Sequence, residues 1–349
     1  MRFAVGFSKE TEFFDMIWSL YAMLGRNRWW ADNPALDFED EAWDAILEAC
    51  KKNGLNQIVL DIGEGLQYKC RPELAREGAW SHERARAEVI RCREMGIELI
   101  PKLNFSATHH MWLGDYGRMM STPIYYRVCR ELIEEVYEVF DHPRYFHIGM
   151  DEEGDPQFFK MLPMVHYRQG ELIWHDLKFL IDVVKECGAT PWIWGDMCVY
   201  NPEEFRKHIP VDDVVLQPWI YYAVRREHYT PCMAKERWHS IKEQEGVDYV
   251  EEAHIWQVMT NEGVAAMNDG YLTVPTPSNW GDNEWCHDDV VEHYVNNNKS
   301  GKLLGFMTAP WKHTKTAQAN HYGDTSKTHL DFIIESIELL AAARDKFVK

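Results

Sequence analysis

The chain has 349 residues, 46% of them hydrophobic and 27% charged, with 37 basic and 56 acidic side chains giving a formal charge of −19. That mixture builds a large packed core rather than a disordered chain. The negative balance disfavours nucleic acid and anionic membrane as partners, because the phosphate contribution would be repulsive.

The expected elements alternate between short apolar runs and amphipathic helices. Arg2–Ser8 reads as a first strand, followed by a long Trp-rich insertion at about 9–40. Residues 41–53 (EAWDAILEACKKN) have helical spacing and stop at Gly54, and NQIVLDIG at 56–63 is a strand. A helix over 81–95 starts at a Ser81 N-cap and stops at Gly96. IELIPKLNF (97–105) is a strand, 125–140 a helix, RYFHIGM (144–150) a strand, and 171–187 a helix ending at Gly188. TPWIWGDM, the short helix PEEFRKH, DVVLQPWIY, a helical region within 234–268, GYLTVPTPSNW, HDDVVEHYVNNN, LLGFMTAPW and a closing helix at 328–347 complete the series.

Eight strands, each followed by a helix, with no Pro/Gly/Ser-rich linker between them, predict an α/β fold: a single (β/α)8 TIM barrel over residues 1–349. An open doubly wound sheet is the alternative, but no glycine-rich phosphate loop follows the first strand. The eight Cys include no C-x-x-C, so Cys50, Cys92, Cys129 and Cys187 read as free thiols in or near helices. No secretory signal or membrane-length apolar run is visible. The expected location is cytoplasmic, or exported with a signal already removed.

Barrel chemistry sits at the carboxyl ends of the strands. Those positions carry Asp61 and Glu64, then Asn104, Ser106, His109 and His110, then Asp151, Glu152 and Glu153. Further on come Trp194 and Asp196, Gln217, Trp219, Tyr221 and Tyr222, then Asn279, Trp280, Asp282, Asn283, Glu284 and Trp285, and finally Trp311, Lys312 and His313. Fifteen Trp and sixteen Tyr, many of them at strand ends, supply flat faces for pyranose C–H surfaces, while the carboxylates supply proton transfer. The expected partner is therefore a carbohydrate. No metal or other cofactor is expected, since His109-His110 with Asp61 match no ligand spacing and Asp282-Asn283-Glu284 lacks the length and Gly of a calcium loop.

His147-Ile148-Gly149-Met150-Asp151-Glu152 resembles the H-x-G-G-D-E motif of the family 20 glycoside hydrolases, the β-N-acetylhexosaminidases, which are (β/α)8 barrels carrying this motif on strand four. Pro101–Asn104 followed by His109 is loosely similar to that family's P-E-I-D-x-P-G-H. Trp194-Gly195-Asp196 and Trp311 are similar to its strand-five and strand-eight tryptophans. The resemblance implies substrate-assisted retaining catalysis on a terminal 2-acetamido sugar, an exception to the usual two-carboxylate scheme. Asp151 would orient the acetamido group and Glu152 would act as acid and base, with mutual repulsion helping to keep Glu152 protonated.

The resemblance also implies that His147 positions a carboxylate, and the strand-end residues Asp61, Asn104, His109, Trp194, Asp196, Trp219, Tyr221, Trp280 and Trp311 are expected around the sugar. Glu153 is expected to be a solvated or loop-ordering acid. The chain departs from the pattern at Met150, Lys102, Asn104 and Lys312, where the family has Gly or acids. Arg26 or Arg28 would have to stand in for the family's sugar-gripping Arg, and Tyr221 or Tyr222 for its acetamido-polarising Tyr. Three other readings stay open: Glu152 acting with a distant acid (Asp61, Asp196 or Glu284) on another sugar, a non-catalytic carbohydrate-binding barrel, and, more distantly, a metal-dependent hydrolase.

Overall fold

The computed structural model describes residues 16–25, 34–153, 168–221, 224, 250–281, 283, 285–321 and 324–348, with side chains of the 250–269 helix described from residue 259 onward. Strand β1 (Ile17–Met23) leads to helix α1 (Asp40–Lys52), β2 (Gln57–Asp61) to α2 (His82–Glu94), and β3 (Glu98–Lys102) to α3 (Pro123–Val139). β4 (Tyr145–Gly149) leads to α4 (Glu171–Cys187), and β5 (Thr190–Trp194) to the short α5 (Asp196–Tyr200) and α6 (Pro202–His208).

The sixth strand is split into β6 (Val215–Gln217) and β7 (Trp219–Ile220), and the seventh, after α7 (Val250–Asp269), into β8 (Leu272–Thr273) and β9 (Thr276–Pro277). Pro218 and Pro275 sit at the two breaks, where a residue without an N–H cannot donate to a ladder. Helix α8 (Cys286–Asn297), β10 (Gly305–Thr308) and α9 (His329–Phe347) complete the chain.

All pairings in the main sheet are parallel, in the order β10-β1-β2-β3-β4-β5-β6-β8, and β7 pairs with β9. The circle closes where Thr273 bridges Leu303, the Leu304 N–H donating to the Thr273 carbonyl at 3.0 Å. The result is the expected (β/α)8 barrel.

The first strand lies elsewhere than expected. Arg2–Ser8 falls outside the described residues, and Ile17–Met23 lies inside the stretch read as a loop insertion. Its run is apolar on both faces because both are covered. Ile17, Tyr21 and Met23 join the barrel interior with Val59, Ile100, Tyr145, Trp192 and Met307, whereas Trp18, Leu20 and Ala22 pack in the layer between sheet and helices.

The helix boundaries follow local chemistry. The Ser81 hydroxyl accepts the Arg84 N–H at 3.2 Å, and Thr328 with Asp331 forms a capping box on α9. Gly54, Gly96 and Gly188 adopt φ of 68°, 79° and 108° at the ends of α1, α2 and α4, where a side chain would be strained. Cys50, Cys92 and Cys129 are buried free thiols and Cys187 is a half-buried one. Among the described residues no helix is long and apolar enough to cross a membrane.

Candidate active site

At the carboxyl end of β4 the backbone bends sharply. The pairing with β5 slips between His147 and Gly149, and then Gly149, Met150 and Glu152 adopt φ of 75°, 71° and 60°. Gly149 has no room for a side chain, since a Cβ would stand 2.0 Å from Asn104 Oδ1. Met150 and Glu152 in left-handed backbone cost about 1–3 kcal/mol each. Met150, the residue that replaces a glycine of the resembled motif, is fully buried in the outer core layer. Burial of a Met side chain contributes about 1.5–3 kcal/mol, which offsets its own backbone strain.

The bend brings Asp151 and Glu152 to one histidine. His109 Nε2 lies 3.1 Å from Asp151 Oδ2 and 3.1 Å from Glu152 Oε2. Asn104 Nδ2 donates to Asp151 Oδ1 at 2.8 Å, and the Ser106 and Thr108 hydroxyls donate to the Asp151 carbonyl at 2.5 and 3.2 Å. Burial acts to lower the His109 pKa, but the Asp151 and Glu152 carboxylates override it and lift the imidazole to about 10. Burial likewise acts to raise Asp151, yet His109, Lys102 and Asn104 hold its carboxyl well below the usual range. Repulsion between adjacent acids is therefore relieved by a cation between them. His109 thus stands between the two adjacent acids that are expected to repel each other.

Beneath this pair lies a second buried network. Lys102 Nζ donates to Asp61 Oδ2 at 2.5 Å and the Tyr21 hydroxyl donates to the same oxygen at 2.7 Å. Asp61, expected to face substrate, is thus held in an ion pair at the end of β2. His147 also departs from its expected role. It positions no carboxylate, because its Nδ1 accepts the Gly149 N–H at 3.0 Å and its Nε2 donates to Gln217 Oε1 at 2.9 Å. The ring stacks on Trp192 in the barrel interior, and burial next to Lys102 pushes its pKa well below the ordinary value, leaving it neutral.

Asp196 is fully buried and accepts from the Glu152 N–H at 3.1 Å and the Trp219 indole N–H at 2.6 Å. Burial and the nearby Asp151 charge lift its carboxyl to about 8. It ties the Glu152 backbone to the aromatic wall. That wall is continuous: Trp311 lies 4.6 Å from Tyr21 and 5.7 Å from Trp194 between ring centroids, and Tyr221 lies 4.9 Å from Trp219 and 6.0 Å from Trp280.

Other strand-end residues turn elsewhere. Asn279 donates to the Phe332 carbonyl on α9, and Lys312 Nζ contacts His321 Nδ1 at 3.0 Å over the Phe332 ring. Tyr222, Arg26, Arg28, Asp282 and Glu284 lie outside the described residues. Glu153, expected as a solvated or loop-ordering acid, is not solvated: it is buried and paired with Arg168. Arg168, Lys102 as an ion-pair partner and Tyr21 carry no periodic or motif signal that sequence reasoning could have used. Among the described residues no group of three or more His, Cys, Asp or Glu could hold a metal ion.

No protein-family model matches the chain, and no curated protein sequence does either. Solved structures do. The Flavobacterium johnsoniae chitobiase, a GH20 protein, is similar at 18% identity over 95% of this chain and 52% of its own, with a TM-score of 0.54. The GH20 β-N-acetylhexosaminidase from Streptomyces coelicolor A3(2) is similar at 12% identity over 93% and 63%, with a TM-score of 0.57. A mutant Streptomyces plicatus β-hexosaminidase in complex with product (GlcNAc) is similar at 12% identity over 94% and 67%, also with a TM-score of 0.57. The resemblance read from strand four thus meets structural neighbours of the same family. At these identities the likeness establishes the shared barrel, and the chain spans about half to two thirds of the length of those proteins.

Proposed function

We propose that this chain is a glycoside hydrolase acting on a terminal 2-acetamido sugar by substrate-assisted retaining catalysis. The observation that carries the reading is the arrangement of Asp151 and Glu152 on either side of His109, at the carboxyl end of β4 beside an aromatic wall. Asp151, held ionised, suits the task of fixing an acetamido N–H and stabilising the positive charge of a cyclic oxazolinium intermediate. Glu152, the less buried of the two, suits protonation of the leaving glycosidic oxygen and then deprotonation of water, with His109 Nε2 in contact to hold Oε2 in place. The similar solved structures bear the names of hexosaminidases and a chitobiase, which supports the same substrate class.

The alternative two-carboxylate mechanism finds less support. Asp61 is committed to Lys102 and Tyr21, and Asp196 is fully buried with both oxygens accepting hydrogen bonds, while the third candidate acid, Glu284, lies outside the described residues. A non-catalytic sugar-binding barrel is favoured by one observation: Lys312, at the position where the resembled family has a sugar-binding Glu, turns toward His321 instead. Hydrolysis of aryl 2-acetamido-2-deoxy-β-glycosides separates these readings. Turnover that a thiazoline mimic of the cyclic intermediate inhibits, and that Glu152→Gln reduces by about 100-fold or more, is expected. Full activity in Glu152→Gln would remove Glu152 as the acid, and sugar binding without turnover would favour the binding barrel.

A further inference from the structure

We propose that Glu153 and Arg168 form a buried clamp that positions His109 against Glu152, so that the acid next to the dyad is a positioning residue. The inference rests on the glycosidase reading for its kinetic consequence, but its structural claim is independent of it.

The clamp joins two loops that carry the chemistry. Glu153 Oε1 accepts the Ala107 N–H at 2.5 Å and pairs with Arg168 Nη2, while Oε2 meets Arg168 Nε at 3.4 Å. The same Nη2 donates to the Phe105 carbonyl at 2.9 Å. One guanidinium therefore grips the loop after β3, which carries His109, and the loop after β4, which carries Asp151 and Glu152. From its other side Arg168 Nη1 reaches Asp176 Oδ2 at 3.4 Å on α4, and Asp176 is anchored by the Ser121 and Tyr126 hydroxyls at 2.6 Å each. Glu153, Arg168 and Asp176 are 3%, 2% and 1% exposed, so solvent does little to screen them.

Burying such groups is expensive. A buried ion pair is weak evidence for stability, since desolvation consumes most of the attraction and apolar replacements are often as stable. What this pair adds is direction. Met150 and Glu152 hold left-handed backbone on either side of Asp151, a conformation that persists only where surroundings over-determine it. Glu153 is the next residue along, and its carboxylate is fixed from Ala107 and from Arg168 at once. The His109–Glu152 contact spans the same two loops, and its 3.1 Å separation depends on their register.

The test is Glu153→Gln, which keeps the shape and removes the charge, with Arg168→Lys as the second variant. Lysine keeps a buried cation, but one ammonium lacks the planar fork that reaches Phe105, Glu153 and Asp176 together. The first readout is the titration of His109 by NMR of histidine-labelled protein, which needs no substrate. Both variants are expected to lower its midpoint by about one pH unit or more as Glu152 moves away. The second is kinetic: kcat falling by about 100-fold, as for a misplacement near 1 Å, with KM within about threefold. Val136→Ala, a core truncation in α3, serves as a variant of lowered stability with both readouts at wild-type values. Wild-type His109 titration in Glu153→Gln and Arg168→Lys, or an equal kcat loss in Val136→Ala, would overturn the clamp. A shifted His109 in a protein that turns over no glycoside would leave the clamp standing and remove the glycosidase reading instead.

Discussion

Removing the charge of His109 should cost stability in a way that depends on pH with a defined sign. In His109→Gln an amide still fits between Asp151 and Glu152, but the cation is gone. The folded-state pKa of His109 is raised to about 10 from an ordinary 6.5. A tenfold change in proton affinity corresponds to about 1.4 kcal/mol, and breaking a buried charge pair typically costs about 3–5 kcal/mol. The wild type should therefore exceed the variant by roughly 3–5 kcal/mol near pH 6.

Because the folded pKa is the higher one, this contribution is complete below about pH 6.5 and is lost as pH rises toward 10. Urea unfolding of both proteins in steps of about one pH unit from about pH 6 to 10 should show the gap shrinking by up to about 1.4 kcal/mol per step. Asp196, lifted to about 8, titrates in the same window but is present in both proteins and largely cancels from the difference. A gap that stays constant between about pH 6 and 9.5 would mean that folding does not raise the His109 pKa, and the charge arrangement of the site would have to be rebuilt.

Gly149→Ala should destabilise the protein by about 2 kcal/mol or more, because φ is 75° and the new Cβ meets Asn104 Oδ1 at 2.0 Å; a thermal melt matching wild type would contradict this. Lys102→Met should cost about 3–5 kcal/mol by leaving the Asp61 carboxylate buried, and Lys102→Met with Asp61→Asn should recover much of it. Denaturant midpoints that simply add the two single losses would refute that coupling. His147 should remain the neutral Nε2–H tautomer from about pH 8 to 5, its pKa lying well below the ordinary value; nitrogen NMR showing a protonated ring at about pH 5.5 would exclude Nδ1 as the acceptor of the Gly149 N–H.

The barrel is legible in the sequence because its signals are local: alternating strand and helix runs, the Ser81 cap, and glycines after three helices. Its first strand is not, because Arg2–Ser8 and Ile17–Met23 are apolar runs of similar length, and only the sheet decides which one pairs with β2 and β10. At the site, Asp151 and Glu152 are reached through the strand-four motif, whereas Asn104 and His109 come from a looser strand-three likeness in which His109 stands one residue later than the family's spacing. The motif gives His147 the wrong partner, since it names a residue but not the face on which that residue lies. His147 shares the inward parity of Tyr145 and so points at Gln217 and the barrel axis. Glu153 escapes sequence reading for a different reason. Its partner Arg168 is 15 residues away, and nothing in composition links the two.

Three consecutive carboxylates are tolerable after β4 because two of them share one histidine and the third turns to an arginine. Asp151 and Glu152 share His109 from the loop after β3, whereas Glu153 turns to Arg168 at the foot of α4. A fourth acid nearby, Asp61, is neutralised by Lys102. Charge compensation and geometry are then the same fact: side chains committed to fixed cations cannot rotate freely, and left-handed turns at Met150 and Glu152 are what allow successive residues to diverge. The strain at those two residues is held by the ion pairs, and the ion pairs are arranged by the strain. This makes the bend after β4 a single cooperative unit, in which loss of any one partner should be felt at His109 before it is felt in the barrel.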